Sequence, residues 1–188
     1  MVPIHSVRLT KLVEEFNLVS LHKATDFEKI CITVDDISRP GLQLAGFFDH
    51  FEPMRLQVLG NVETSYLRKL SSEQRAIIFD HLLSYKIPAL IIARDLEALP
   101  ECLEMAKKHD VTILRSHETT SYTVSSLITA LKAYLAPRIT RHGVLVEIYG
   151  QGIFIMGDSF TAVQLLGIAI IVISVFGVSH PGKEDVKS

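Results

Sequence analysis

The residues with the clearest potential for chemistry lie late in the sequence. A strand pattern is followed by a glycine-containing turn, residues 157–159 (Gly-Asp-Ser), which is how a phosphate-binding P-loop begins. That motif requires a second glycine, a lysine and a hydroxyl residue where this chain has Ala162, Val163 and Gln164. His142 stands just before the same segment and is the histidine best placed to act there. The pattern predicts the start of a phosphate site that lacks its decisive residues.

A second polar segment, residues 35–41 (Asp-Asp-Ile-Ser-Arg-Pro-Gly), follows a predicted strand. One interpretation is a tight turn in which Asp36 or Ser38 caps a following helix. The other is a loop at the carboxyl edge of a sheet, where α/β proteins commonly bind ligands. In that case Asp36 and Arg39 are the polar contacts.

Composition excludes several classes of protein. With 48% hydrophobic and 21% charged residues, the chain can fold around a core, which excludes wholesale disorder. A net charge of −2 without a basic stripe argues against a nucleic-acid partner. Cys31 and Cys102 lie far apart and outside any Cys/His cluster, so we predict no disulfide framework and no metal site. Such cysteine usage suits the cytoplasm, and the first residues show no secretory signal.

The elements that would position these residues alternate between short apolar runs and helical patterns, which predicts an α/β fold. The predicted strands of a mostly parallel sheet lie at 29–34, 55–59, 88–93 and 111–114. Ser71 to Gln74 forms a capping box that begins a helix, and Pro100 suits the first turn of another. Apolar residues at helical spacing from Val124 to Leu135 predict the longest helix.

The pattern changes after Ala136-Pro137, which is the predicted domain boundary. Residues 143–156 are predicted to form a β-hairpin around glycines at 150 and 152. The run at 162–178 carries no charge but falls short of the ~20 residues of a spanning helix, so we expect no membrane span. Its β-branched residues favour a buried strand, and a membrane anchor is the alternative.

Four stretches together resemble a known family: DISRPGLQLAGFF (36–48), RLQVLGNVETSYL (55–67), IPALIIARDLE (87–97) and APRITRHGVLVEIYGQGIFIMGDS (136–159). The family is HPr kinase/phosphorylase, which phosphorylates and dephosphorylates a serine of the phosphocarrier HPr in the control of carbon metabolism. The resemblance covers nearly everything from about residue 6 to residue 159.

The resemblance implies an N-terminal three-layer α/β domain over 1–135 and the start of a kinase domain over 136–159, with a divergent segment over 160–188. It implies that His142 matches the catalytic histidine and that Gly157, Asp158 and Ser159 match the first nucleotide-binding residues. It further implies ATP and Mg as cofactors, HPr as protein partner, and a homo-oligomer.

The sequence departs from the family after Ser159, as though the Gly-x-Gly-Lys-Ser segment had been deleted. We therefore expect a truncated or frame-shifted relative that is catalytically inactive and binds neither ATP nor Mg. The alternative is a non-enzymatic regulatory or membrane-attached interaction module built on the N-terminal domain.

Overall fold

The computed structural model describes residues 5–136, the backbone of the strands 143–148 and 151–156, and positions 167 and 170. In chain order the elements are β1 (Val7–Arg8), α1 (Leu9–Glu15), β2 (Val19–His22), β3 (Cys31–Ile32), β4 (Ile37–Ser38), α2 (Gly41–Leu44), β5 (Leu56–Leu59), α3 (Asn61–Arg68), α4 (Ser72–Ser84), β6 (Leu90–Ile92), α5 (Pro100–His109), β7 (Ile113–Arg115), α6 (Thr120–Leu135), β8 (Gly143–Ile148) and β9 (Gln151–Met156).

The main sheet has five strands in the order β2-β7-β6-β5-β4. Strands β4 to β7 are parallel, and β2 pairs antiparallel with β7 at one edge. In the register of the central strands, Leu59 pairs with Ile92, which pairs with Arg115. The predicted α/β fold with a mostly parallel sheet is therefore confirmed.

Successive strand residues point to opposite sides of this sheet, and apolar side chains occupy both sides. Helices therefore cover both faces. Val58 and Leu114 pack in one buried cluster with side chains of α1 and α6. Leu59 and Ile113 belong to a second cluster with side chains of α2, α3, α4 and α5. Each fully buried aliphatic side chain contributes roughly 1.5–3 kcal/mol to stability. These two clusters give the domain its three layers.

The predicted strand at 29–34 is wrong in length and in place. Only Cys31–Ile32 is extended there, and it pairs antiparallel with Val7–Arg8 outside the main sheet. The edges of the main sheet come instead from Val19–His22, which the sequence analysis missed, and from Ile37–Ser38. Both are too short or too irregular to show a period-two pattern, and β2 has a register shift between Ser20 and His22.

Local sequence signals account for the helix ends. The Ser71 Oγ accepts from the Gln74 backbone N–H at 3.3 Å, and the Gln74 side chain accepts from the Ser71 N–H at 3.1 Å, so the predicted capping box is confirmed. Pro100 is the first residue of α5, as predicted. α6 begins earlier than predicted because the Thr119 hydroxyl caps it by accepting from the Tyr122 N–H at 3.3 Å.

The chain divides into two compact units, 1–137 and 138–188. In the second unit, β8 and β9 form an antiparallel hairpin in which Gly143 pairs with Met156 and Ile148 pairs with Gln151. The predicted hairpin is confirmed. Of the apolar run 162–178, Gly167 and Ile170 are described and both are helical, which contradicts the expected strand at Ile170. The β-propensity of branched residues is weak and yields to context.

No helix in the described part of the chain is long and apolar enough to cross a membrane.

Candidate functional site

The predicted kinase-site residues His142, Gly157, Asp158 and Ser159 all lie outside the described residues. Within the described residues, polar side chains converge at the carboxyl ends of the parallel strands, where ligands commonly bind in open α/β sheets.

The two residues predicted to share a ligand loop lie at opposite ends of β4. Asp36 precedes the strand, and its Oδ2 lies 2.8 Å from Nη1 of Arg55. Its Oδ1 accepts from the Ile37 backbone N–H at 2.8 Å. Arg39 follows the strand, at the carboxyl edge. The structure therefore does not bring Asp36 and Arg39 together.

Arg39 is paired with a buried carboxylate. Its Nη2 donates to both oxygens of Glu63, at 2.7 and 3.0 Å, and the Glu63 side chain is only 6% exposed. The Gly60 backbone N–H donates to the same carboxylate at 2.9 Å, so Glu63 also caps its own helix. A charge-assisted pair of this kind fixes the start of α3 against the end of β4.

Gly60 also marks a close approach between two helix starts. A Cβ built on Gly60 would lie 2.4 Å from Oγ1 of Thr120 and 2.8 Å from its Cγ2. Glycine is the residue that lets the end of β5 approach the first turn of α6 this closely. The carboxyl edge is thus tightly packed between β5 and α6.

The helices that follow the neighbouring strands β6 and β7 lie on opposite faces of the sheet. Cys102 of α5 packs in one core cluster and Leu127 of α6 in the other. A crevice between strands whose following helices diverge in this way is the usual ligand position in open α/β sheets. At the end of β6, Arg94 and Asp95 both have left-handed backbone conformations, with φ of 67° and 53°.

Backbone hydrogen bonds join the two loops at this crevice. The Arg94 N–H donates to the Glu118 carbonyl at 2.8 Å, and the Asp95 N–H donates to the Ser116 carbonyl at 2.9 Å. These bonds set the side chain of Asp95 beside the residues that follow β7.

Two nitrogen atoms converge on one oxygen of Asp95. His117 Nδ1 lies 2.6 Å from Asp95 Oδ1, and Arg115 Nε lies 3.7 Å from the same oxygen. The Arg115 Nε atom is buried and has no hydrogen-bond partner among the described residues. We call Arg94, Asp95, Arg115 and His117 the carboxyl-edge cluster. The nitrogen atoms of Arg115 and His117 in this cluster can donate to an oxyanion.

On the other side of the crevice, Ser116 and Thr123 form a buried hydroxyl pair at 3.1 Å. They line a cavity of about 130 Å³ together with residues of α1 and α6. This volume holds only a few water molecules. The cavity therefore does not suit a nucleotide.

Burial strengthens one more ion pair where α4 and α5 begin. The Glu101 carboxylate accepts from Arg75 Nη2 at 2.7 Å and from Ser72 Oγ at 2.6 Å. The Arg75 and Ser72 hydrogen bonds lower the pKa of Glu101 to about 2, against the opposing effect of burial. On the same helix, burial raises the pKa of the Cys102 thiol to about 12, so that thiol is inert.

No group of three or more His, Cys, Asp or Glu side chains within the described ranges is arranged to hold a metal ion.

The family model for the HPr serine kinase N terminus matches residues 7–131. The chain belongs to this family. The match spans both buried clusters and the carboxyl-edge cluster.

Curated relatives agree with this assignment. HPr kinase/phosphorylase of Lachnoclostridium phytofermentans is 43% identical over 83% of this chain and 50% of the relative. The enzyme of Alkaliphilus metalliredigens is 43% identical over 86% of this chain and 53% of the relative. That of Streptococcus gordonii is 40% identical over 82% and 50%. The chain spans about half the length of the curated relatives it matches.

Among solved structures, the CBS and DRTGG domains of a Clostridium perfringens pyrophosphatase regulatory region match 65% of this chain and 46% of that chain. The TM-score is 0.47 at 16% identity, which is too low to support an argument.

The sequence analysis missed the carboxyl-edge cluster. Two signals could have found it: Arg94 and Asp95 directly follow the predicted strand 88–93, and Arg115 to His117 directly follow the predicted strand 111–114. Charged residues at the carboxyl ends of adjacent parallel strands are expected to meet, provided that the strand order is known.

Proposed function

We propose that this chain serves as the N-terminal part of an HPr kinase/phosphorylase system in the control of carbon metabolism, with HPr as protein partner. We further propose that, with the sequence it has, it does not bind Mg–ATP through residues 157–164 and is inactive as a kinase. The family match over residues 7–131 supports the first statement. Residues 162–164 (Ala-Val-Gln) support the second and carry the proposal.

The residues present do not fit a magnesium nucleotide. A P-loop holds phosphates with consecutive backbone N–H groups, which point inward only where glycine permits the turn, and Ala162 stands at the second glycine position. Val163 has no charge to offer the β- and γ-phosphates, and Gln164 has no hydroxyl group for Mg²⁺. Phosphoryl transfer depends on positioning and charge neutralisation by such groups. His142 would then have no phosphate to act on.

The proposed location is the cytoplasm. Cys31 and Cys102 are both free thiols in this fold, and Cys31 is exposed. Free exposed thiols suit a reducing compartment.

The test is calorimetric titration of the full chain with Mg–ATP, together with an assay for seryl-phosphorylated HPr. The enzyme of Lachnoclostridium phytofermentans is the positive control in both. We expect neither saturable binding nor phosphorylation by this chain. Saturable micromolar binding, or phosphate transfer that a His142→Ala substitution abolishes, would overturn the proposal.

A further inference from the structure

In the carboxyl-edge cluster, the side-chain carboxylate of Asp95 occupies the position between the donors of His117 and Arg115. Its Oδ1 atom lies 2.6 Å from His117 Nδ1 and 3.7 Å from Arg115 Nε. The longer distance exceeds hydrogen-bond length, so within the part of the chain that the structure describes this buried guanidinium N–H has no acceptor. A carboxylate held by its short side chain therefore satisfies only part of the donor set.

The backbone that holds Asp95 there is strained. Arg94 and Asp95 adopt consecutive left-handed conformations, in which the Cβ atom crowds the following carbonyl oxygen. Such outliers persist only where surrounding contacts enforce them, and they cluster at ligand sites. Here Arg94 and Asp95 form the centre of a tight turn, closed by a 3.4 Å hydrogen bond from the Leu96 N–H to the Ala93 carbonyl, and the backbone bonds to Glu118 and Ser116 hold that turn against the next loop.

The site is also accessible. The side chains of Asp95 and His117 are 50% and 58% exposed, so a small ligand can reach both. The two loops also carry Arg94, Glu97 and Glu118, whose charges partly cancel. The side chains that contact Asp95 Oδ1 are Arg115 and His117, so without the Asp95 charge two donors remain where the carboxylate lay.

We propose that the carboxyl-edge cluster binds a phosphate-type oxyanion, which takes the place of the Asp95 carboxylate between His117 and Arg115. A phosphate group offers three acceptor oxygens and a higher charge than a carboxylate. It can accept from His117 Nδ1 and from the guanidinium of Arg115 at once, as arginine commonly allows. Asp95 is then an internal competitor for the site.

The test compares two aspartates in the same backbone conformation. Asp110, with φ of 54°, lies at the opposite edge of the sheet, where its Oδ1 accepts from the Thr25 N–H at 2.8 Å. Asparagine tolerates left-handed backbone as aspartate does, so Asp95→Asn and Asp110→Asn are matched substitutions. Each is made in the full chain and titrated with sodium phosphate at constant ionic strength, followed by amide NMR shifts.

We expect Asp95→Asn to bind phosphate about tenfold more tightly than the unsubstituted chain, since a like charge next to the ligand has been removed. Asp110→Asn should match the unsubstituted chain, and Asp95→Asn/Arg115→Gln should lose saturable binding. The proposal would be overturned if the two Asp→Asn variants bound phosphate equally tightly. It would also be overturned if Asp95→Asn showed no saturable shift, or if binding did not weaken without Arg115.

Two further ligands define the chemical class. Methyl phosphate should bind Asp95→Asn as inorganic phosphate does if the natural ligand is a phosphomonoester, and more weakly if the ligand is the free anion. Acetate should bind at least tenfold more weakly than either. Acetate binding as tight as phosphate would contradict a phosphate-type site. Unchanged amide spectra in the absence of ligand verify that each variant is folded.

Discussion

The carboxyl ends and the amino ends of the parallel strands, which we call the carboxyl edge and the amino edge, differ in how deeply their carboxylates are buried. At the carboxyl edge, Glu63 is 6% exposed and pairs with Arg39 through two hydrogen bonds. At the amino edge, Asp36 is 46% exposed, although its ion pair with Arg55 is equally short at 2.8 Å. Arg39 is itself 45% exposed, so solvent screens both pairs, but the buried Glu63 carboxylate depends more on its partner than the exposed Asp36 carboxylate does.

Asp95 differs from Glu63, the buried carboxylate at the same edge, in its exposure to solvent. It lies at the edge where the Glu63 carboxylate is buried, yet it is half exposed and its backbone is left-handed. Left-handed residues also occur at the amino edge, where Lys86 and Asp110 follow the ends of α4 and α5. There they serve an ordinary role, since a left-handed residue commonly ends a helix. The same backbone conformation thus terminates helices at one edge and presents a charged cluster at the other.

The largest expected effect comes from removing the partner of the buried Glu63 carboxylate. Because Arg39 is 45% exposed, Arg39→Ala should cost less than breaking a fully buried pair, and we expect the free energy of unfolding to fall by about 2 to 3 kcal/mol. Denaturant unfolding measures the loss. A loss below that of a surface pair would show that the carboxyl edge gains nothing from burial.

A substitution of Gly60 tests the close packing of the same edge. The Cβ of Gly60→Ala would clash with Thr120, so we expect a loss of about 2 kcal/mol. Adding Thr120→Ala removes the two closest atoms and should restore part of it. Gly41→Ala is the control because a Cβ there meets no atom within 4 Å. Equal effects of Gly60→Ala and Gly41→Ala would refute the packing argument.

The pH dependence of stability tests the ion pair between α4 and α5. The pKa of Glu101 is lowered from 4.5 to about 2 in the folded protein, so its stabilising contribution is complete above about pH 4.5 and is lost as the pH falls towards 2. We expect Glu101→Gln to be less stable than the unsubstituted chain at pH 7 and to lose less stability on acidification.

The control for this experiment is Glu104→Gln, an exposed residue of the same helix. The reference profile is the pH dependence of the unfolding free energy of Glu104→Gln. If Glu101→Gln also follows that profile between pH 4.5 and 2, the ion pair makes no contribution through this carboxylate.

The smallest effect is expected at the amino edge. Asp36→Asn keeps an acceptor for the Ile37 N–H but loses the charge that pairs with Arg55, and we expect less than about 1 kcal/mol of destabilisation. High salt should reduce the difference further. A loss as large as that of Arg39→Ala would erase the contrast between the edges.

Much of the fold follows from local sequence signals. The capping box at Ser71, Pro100 at the start of α5, and the apolar runs within 88–93 and 111–114 each determine structure over a few residues. These signals are strong because capping and continuous burial act locally.

The carboxyl-edge cluster could not be predicted in the same way. Asp95 and His117 meet because β6 and β7 are adjacent and in register, with Ile92 opposite Arg115. Strand order and register are long-range properties that no short pattern encodes. The edge strand β4 was likewise hidden, since its two residues lie within a segment rich in turn formers.

The most direct measurement follows arginine side chains during a phosphate titration. The Nε atoms of Arg55, Arg75 and Arg115 are all buried, so their N–H groups are the arginine probes to follow by NMR. We expect phosphate to shift the Arg115 signal saturably, and more strongly in Asp95→Asn, while Arg55 at the amino edge and Arg75 between α4 and α5 do not respond. Equal shifts of all three signals, or a response of Arg55 without Arg115, would contradict this expectation.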